Sequence, residues 1–182
     1  NVDVVGAESY VALALPALYC DDVEYTKTQM VEALSMGEYY GKVYTEAYTG
    51  SALDIANGTG TGEYFVLMMY AQPGSDGFTI AKTYNHISFE ELANMEEWDE
   101  CVIGGAPVSQ SQIIGTFVYN IENDQATDVL LSLDGNVTIE GNQTNGTIKA
   151  TIDFESAVTG DIITKEYIYS GAINIEEQVA AP

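Results

Sequence analysis

The residue types that carry most protein chemistry are scarce in this chain. His86 is its single histidine, Cys20 and Cys101 are its only cysteines, and arginine is absent. A serine or cysteine nucleophile needs a base beside it. His86 follows Asn85 at the end of a strand-like run, and no G-x-S-x-G elbow occurs anywhere. Such a histidine reads as a surface or structural residue, so a catalytic triad is not expected. One histidine and two distant cysteines also fail to give a zinc site of ordinary ligand spacing. Carboxylates abound, with 28 Asp and Glu, but glycoside hydrolysis needs two of them at a set separation across a cleft, which chain spacing does not encode. The expectation is a protein that is not an enzyme.

Hard-cation binding suits the acids better, because Ca²⁺ takes about six to eight oxygens from carboxylates, amides and carbonyls on loops. Asp21, Asp22 and Glu24 form one candidate group; Glu122, Asn123, Asp124 and Asp128 form a second; Asp153, Glu155 and Asp161 form a third. None matches an EF-hand, and solvated acids at turn tips are the competing reading. Cys20 and Cys101 would close a loop of about 80 residues if oxidised, on the order of 4 kcal/mol in the chain-entropy account; two buried thiols fit equally well. Asn57, Asn136, Asn142 and Asn145 each begin an Asn-x-Thr triplet, the acceptor pattern for glycosylation outside the cell. A chain rich in Thr and Asn also produces such triplets by chance.

Charge narrows the partners. Five lysines stand against those acids, for a formal net charge of -23. A polyanion has no cations with which to displace the counterions of a phosphate backbone or an anionic bilayer, so nucleic acid and membrane surfaces are set aside. Its self-repulsion is relieved by salt, by divalent cations or by dispersal over an assembly. The apolar run Tyr10 to Tyr19 lacks a basic flank, contains Pro16 and is too short to span a bilayer. It reads as a strand of a mature, processed chain that opens on Asn1.

The elements that must hold these residues are mostly strands. In Gly146–Phe154, Ile148, Ala150, Ile152 and Phe154 share one face, and Lys149, Thr151 and Asp153 share the other. Ile113–Ile121, Asp128–Leu133, Asn136–Glu140 and Ile162–Ile175 follow the same rhythm between Gly, Asn and Asp turns. Glu38–Tyr48 is a strand with a bulge at Gly41, and Phe78–Tyr84 is another. Glu63–Ala71 is apolar throughout, as a strand covered on both faces would be. Two short helices are expected: Thr26–Met36, and Phe89–Trp98 behind the capping box of Ser88 and Glu91. Many of the 13 tyrosines fall in strands, where packing is their default role. One domain spanning residues 1–182 follows: all-β, an antiparallel sandwich or barrel of jelly-roll type.

Tyr39-Tyr40-Gly41, Gly62-Glu63-Tyr64-Phe65-Val66-Leu67, Gly135-Asn136-Val137-Thr138-Ile139 and Tyr169-Ser170-Gly171-Ala172-Ile173 resemble the β-rich, calycin-like or sandwich domains of exported bacterial surface proteins. The resemblance implies a fold and a secreted location, and transfers no functional residue. Residues 1–22 then matter most. An apolar strand carrying Tyr10, Val11, Leu13, Leu15 and Leu18 can cover an open sheet edge in its own chain or in a neighbour's. The function expected is a structural subunit of an extracellular filament, sheath or surface layer. Its partners would be copies of itself or other surface components, joined by strand donation, with Ca²⁺ as the one cofactor considered. The alternative is a secreted barrel that binds a glycan or small ligand.

Overall fold

The computed structural model describes residues 9–15, 17–26, 42–49, 53–54, 57–71, 80–97, 99–109 and 112–179. In chain order its elements are β1 (Ser9–Ala14), β2 (Leu18–Cys20), β3 (Val23–Tyr25), β4 (Lys42–Tyr48), β5 (Gly62–Tyr70), β6 (Thr83–Ile87), α1 (Phe89–Ala93), β7 (Cys101–Ile103), β8 (Ala106–Ser109), β9 (Gln112–Ile114), β10 (Phe117–Glu122), β11 (Gln125–Gly141), β12 (Gly146–Ser156), β13 (Ile162–Gly171) and β14 (Asn174–Val179). The fold is all-β, as the alternation of the sequence implies.

One sheet runs β14-β1-β4-β5-β7-β6-β11-β12-β13-β2-β3, with β10 bridging β5 and β11, while β8 and β9 form a separate hairpin. Strands β5, β7, β6, β11 and β10 thereby close a small five-strand barrel. Farther round, two backbone hydrogen bonds between Thr26 and Tyr48 bring the end of β3 back to β4. Among the described residues the largest of three apolar clusters includes Val43, Phe65, Leu67, Val137, Ile152, Phe154 and Tyr167. A buried Val, Leu, Ile or Phe side chain contributes roughly 1.5–3 kcal/mol by leaving water. Phe65 stacks on Tyr167 with centroids 3.9 Å apart and meets Phe154 edge-on.

Several expectations are met in detail. β12 alternates buried and outward positions along its length, and β5 is buried on both faces from Tyr64 to Met69. The Ser88 hydroxyl takes the Glu91 amide at 3.2 Å while the Glu91 carboxylate returns to the Ser88 amide. The helix is shorter than expected: it ends at Ala93, where the Asn94 side chain binds the Glu90 carbonyl at 2.8 Å. Strand β6 begins at Thr83, later than the sequence suggests. The expected helix at 26–36 lies outside the described residues beyond Thr26, which bridges Tyr48.

Other expectations are corrected. Asp128–Leu133 and Asn136–Glu140 are one strand, β11: Asp134 and Gly135 pair with Asp153 and Ile152 rather than turning, and the register shifts by one residue at Leu133, between Ser132 and Asp134. Gly135 has φ 136°, and a Cβ there would sit 2.3 Å from the Thr151 carbonyl oxygen. Ile113–Ile121 divides between β9 and β10, and Ile162–Ile175 between β13 and β14. Tyr10–Cys20 is two strands: β1 pairs with β14 and β4, and β2 pairs with β13 and β3.

The small barrel has a seam. β10 pairs with residues 62–66 of β5 and 125–131 of β11, whereas β7 and β6 take up residues 69–70 and 136–138 farther along the same two strands. Between these stretches the backbones of Met68 and Ser132 need other partners. The Thr116 hydroxyl accepts from the Met68 amide at 3.1 Å and donates to its carbonyl at 3.2 Å. The Ser132 amide reaches the Thr116 carbonyl at 3.2 Å. This crossing leaves no space for side chains at Gly104, Gly105 and Gly115: a Cβ on Gly115, whose φ is +87°, would lie 2.1 Å from the Gly104 carbonyl oxygen. Gly115→Ala is therefore expected to lose about 3 kcal/mol or more, read as a lower urea midpoint at unchanged slope; an unchanged midpoint would show that the crossing is not tightly packed.

Candidate functional site

The single histidine sits at this seam. His86 Nε2 lies 3.1 Å from Ser132 Oγ, which also accepts from the Gly105 amide at 2.9 Å. The Ser132 hydroxyl keeps one donor and one further acceptor lone pair for His86, so the imidazole tautomer sets which of the two supplies the proton. Burial lowers the His86 pKa from its ordinary value, against the opposing pull of Asp134, the Ser132 contact and Glu91. A serine paired with a neutral imidazole is the beginning of a nucleophile. Yet Ser132 is 4% exposed, and its hydroxyl closes the hydrogen bonding where two strand ladders end. The pair acts as a junction between β6, β11 and the Gly104–Gly105 backbone.

A second polar group adjoins the largest apolar cluster. Tyr25 donates a short hydrogen bond to Glu63 Oε2, and Lys165 Nζ stands 3.3 Å from both Glu63 oxygens with its side chain only 13% exposed. Beneath them Tyr25 meets Tyr167 edge to face at 5.5 Å. The Tyr167 hydroxyl is buried and makes no hydrogen bond of good geometry. Tyr25 is near enough to perturb it electrically, but the Tyr25 proton is committed to Glu63. Burial first, then Glu63, drives the Tyr25 pKa far above its usual range, and burial does the same to Tyr167. Cys20, opposite Tyr167 in register, is raised by burial and partly offset by Lys165. This group ties β3, β5 and β13 together across the interior.

The candidate metal residues are spread over hairpin ends. Asp21 and Asp22 form the β2–β3 turn with φ 49° and 62°, the left-handed pair that a two-residue hairpin requires. Glu24 faces solvent on β3, and Glu122 ends β10. Asp124, φ 65°, accepts from the Gly60 amide at 2.6 Å. Asp128 accepts from the Ser156 hydroxyl at 2.6 Å and from the Val129 amide at 2.8 Å, bracing the β12–β13 turn. Among the described residues no three His, Cys, Asp or Glu side chains are grouped to hold a metal ion.

Cys20 and Cys101 are free thiols, placed in separate apolar clusters, so no bridge joins them. Burial pushes the Cys101 thiol up to about 12. Asn57, Asn136, Asn142 and Asn145 are all exposed, and Asn142 Oδ1 accepts from the amides of Thr144 and Asn145, both at 2.9 Å. Leu13, Leu15 and Leu18 are buried within their own chain. Tyr10 and Val11 lie opposite Lys42 and Val43 of β4 and Gln178 and Glu177 of β14.

Sequence reasoning passed over the buried carboxylates. Glu46 is fully buried and accepts from the Tyr64 hydroxyl at 2.5 Å. Glu63 and Lys165 were legible in principle, since both occupy inward positions two residues before buried aromatics, Phe65 and Tyr167. Ser132 carries no such sign, because its partner is 46 residues away. Searches of protein families, of characterised proteins and of solved structures return no match to this chain.

Two outcomes follow. Tyr167→Phe deletes a buried hydroxyl that lacks a partner, so stability is expected to rise by about 1 kcal/mol; a loss of that size in denaturant titration would mean the hydroxyl is satisfied. His86, with its folded pKa below the unfolded value of about 6.5, contributes stability that is present above that pH and lost as pH falls toward the folded value. Thermal midpoints of the protein should drop over that window, and His86→Gln should flatten the drop. Equal slopes for the two proteins would remove His86 as the cause.

Proposed function

We propose that this protein is a non-catalytic structural subunit of an extracellular filament, sheath or surface layer. Its copies join by exchanging β1, and divalent cations offset the charge between them. The place of β1 carries this reading. It fills a slot between β4, to which it runs parallel, and β14, to which it runs antiparallel. Leu13 is fully buried there, and the Thr45 hydroxyl clasps the Leu13 carbonyl at 2.9 Å. Three residues around Pro16 separate β1 from β2, which pairs with β13 and β3. A strand exchanged through such a link would make the same contacts in a neighbour as at home, and concentration would decide which it occupies. The four exposed Asn-x-Thr sites agree with a secreted surface.

A binding module is the second reading. A shallow open groove lined by Lys82, Thr83, Thr138 and Glu140 favours it, and binding on a glycan array by discrete monomers would support it over assembly.

The test is sizing and negative-stain microscopy with Ca²⁺ and with chelator, for the protein and for Val11→Cys/Val43→Cys. Those positions face each other in register, so a disulfide there pins β1 in its own chain. Polymers are expected from the native chain, fewer on chelation, and none from the oxidised variant until it is reduced. A native chain that stays monomeric with Ca²⁺, or a pinned chain that polymerises equally well, ends the proposal.

A further inference from the structure

The outer face of β13 and β2 carries exposed apolar side chains in so charged a protein. Of the eight large apolar side chains exposed among the described residues, Tyr19, Ile162 and Ile168 share this face, whereas Val23 and Ile163 stand on the opposite register positions, paired with Cys20 and Phe154. Tyr19 and Ile168 stand directly opposite each other in register, 48% and 47% exposed. On the far side of Ile168 its partner is Lys149 of β12, and on the far side of Tyr19 its partner is Glu24 of β3. One row across four strands therefore reads cation, apolar, apolar, anion.

The cation is the informative member. Of the three lysines with described side chains, Lys165 and Lys82 are drawn in against Glu63 and Glu100, at 13% and 25% exposure. Lys149 is 62% exposed, with only a loose contact to Glu166 at 3.8 Å. A molecule with so few positive charges presents its most exposed described one at the edge of its apolar face. A second copy brings the matching anion, Glu24, to that cation, which locally offsets the repulsion between two chains of net charge -23.

We infer that this face is a two-fold interface with a second copy of the chain. A two-fold axis along the strands, between β13 and β2, lays Ile168 and Tyr19 of one copy on Tyr19 and Ile168 of the other. The same rotation sets Lys149 of each copy over Glu24 of the other, about 14 Å apart along the row at ordinary strand spacing. This is the self-complementary arrangement that an isologous contact requires, with the sheets face to face. Thr147 and Ser170, paired in the next row on the same face, are small enough to let the sheets approach. The inference stands without β1 exchange, since β1 belongs to another part of the sheet.

Sedimentation of the full chain in about 0.15 M salt, where charges beyond about 8 Å are screened, tests it. The native chain should form a dimer. Lys149→Glu or Glu24→Lys alone should weaken it about tenfold or more, since each change acts twice in a two-fold pair. The double variant Lys149→Glu/Glu24→Lys should regain it, and Ile168→Asp should abolish it, with native-like thermal melts for all. A monomeric native chain, a double variant no tighter than the singles, or a dimer that survives Ile168→Asp would overturn the assignment. The Val11→Cys/Val43→Cys staple should leave this dimer intact, which separates it from strand exchange.

Discussion

Two strands of this protein each serve two sets of neighbours, and the rest of the structure depends on how their backbones are satisfied where one set gives way to the other. β5 and β11 are held first by β10 and then by β7 and β6. An unpaired buried amide or carbonyl costs as much as a lost hydrogen bond. Thr116 and Ser132 therefore take over from the ladder with their side chains, and His86 completes the junction. The glycines at 104, 105 and 115 allow the chains to cross at that spot. This junction closes the small barrel and sets α1 where Leu92 packs on Met68, Cys101 and Ile103.

The charge composition shapes the interior as well as the surface. Tyrosine supplies donors to carboxylates in this interior: Tyr25 donates to Glu63 beside Lys165, and Tyr64 donates to Glu46, while Tyr84 serves the Ile80 carbonyl at 2.8 Å and Tyr169 that of Ala172. A phenol brings a donor on a large apolar body, so it fills the core and feeds a carboxylate at once.

Local pattern made much of the fold legible, and long-range pairing hid the rest. The alternation of Ile148, Ala150, Ile152 and Phe154 gave both strand and face, and Ser88 with Glu91 announced a helix start. Asp134-Gly135 misled, because turn-forming residues also continue a strand next to a bulge, here at Leu133, and only the partner strand decides between them. Pro16 sat in an apolar run read as one strand, and the division into β1 and β2 depends on pairing with β14, β4 and β13. The site suffers most from this. His86 meets Ser132, and Glu63 meets Lys165, only after the sheet has closed, so neither contact leaves a mark in spacing.

The pairing of β1 with β14 has a temporal side. These strands are separated by nearly the whole chain, yet Ser9 lies opposite Val179 and Ala14 opposite Asn174. A polypeptide emerging from a ribosome exposes β1 long before β14 is made. Contacts of such sequence separation form slowly, so β1 spends that interval with one of its two neighbours not yet in existence. Until β14 arrives, the backbone groups on that edge of β1 have water as their partner.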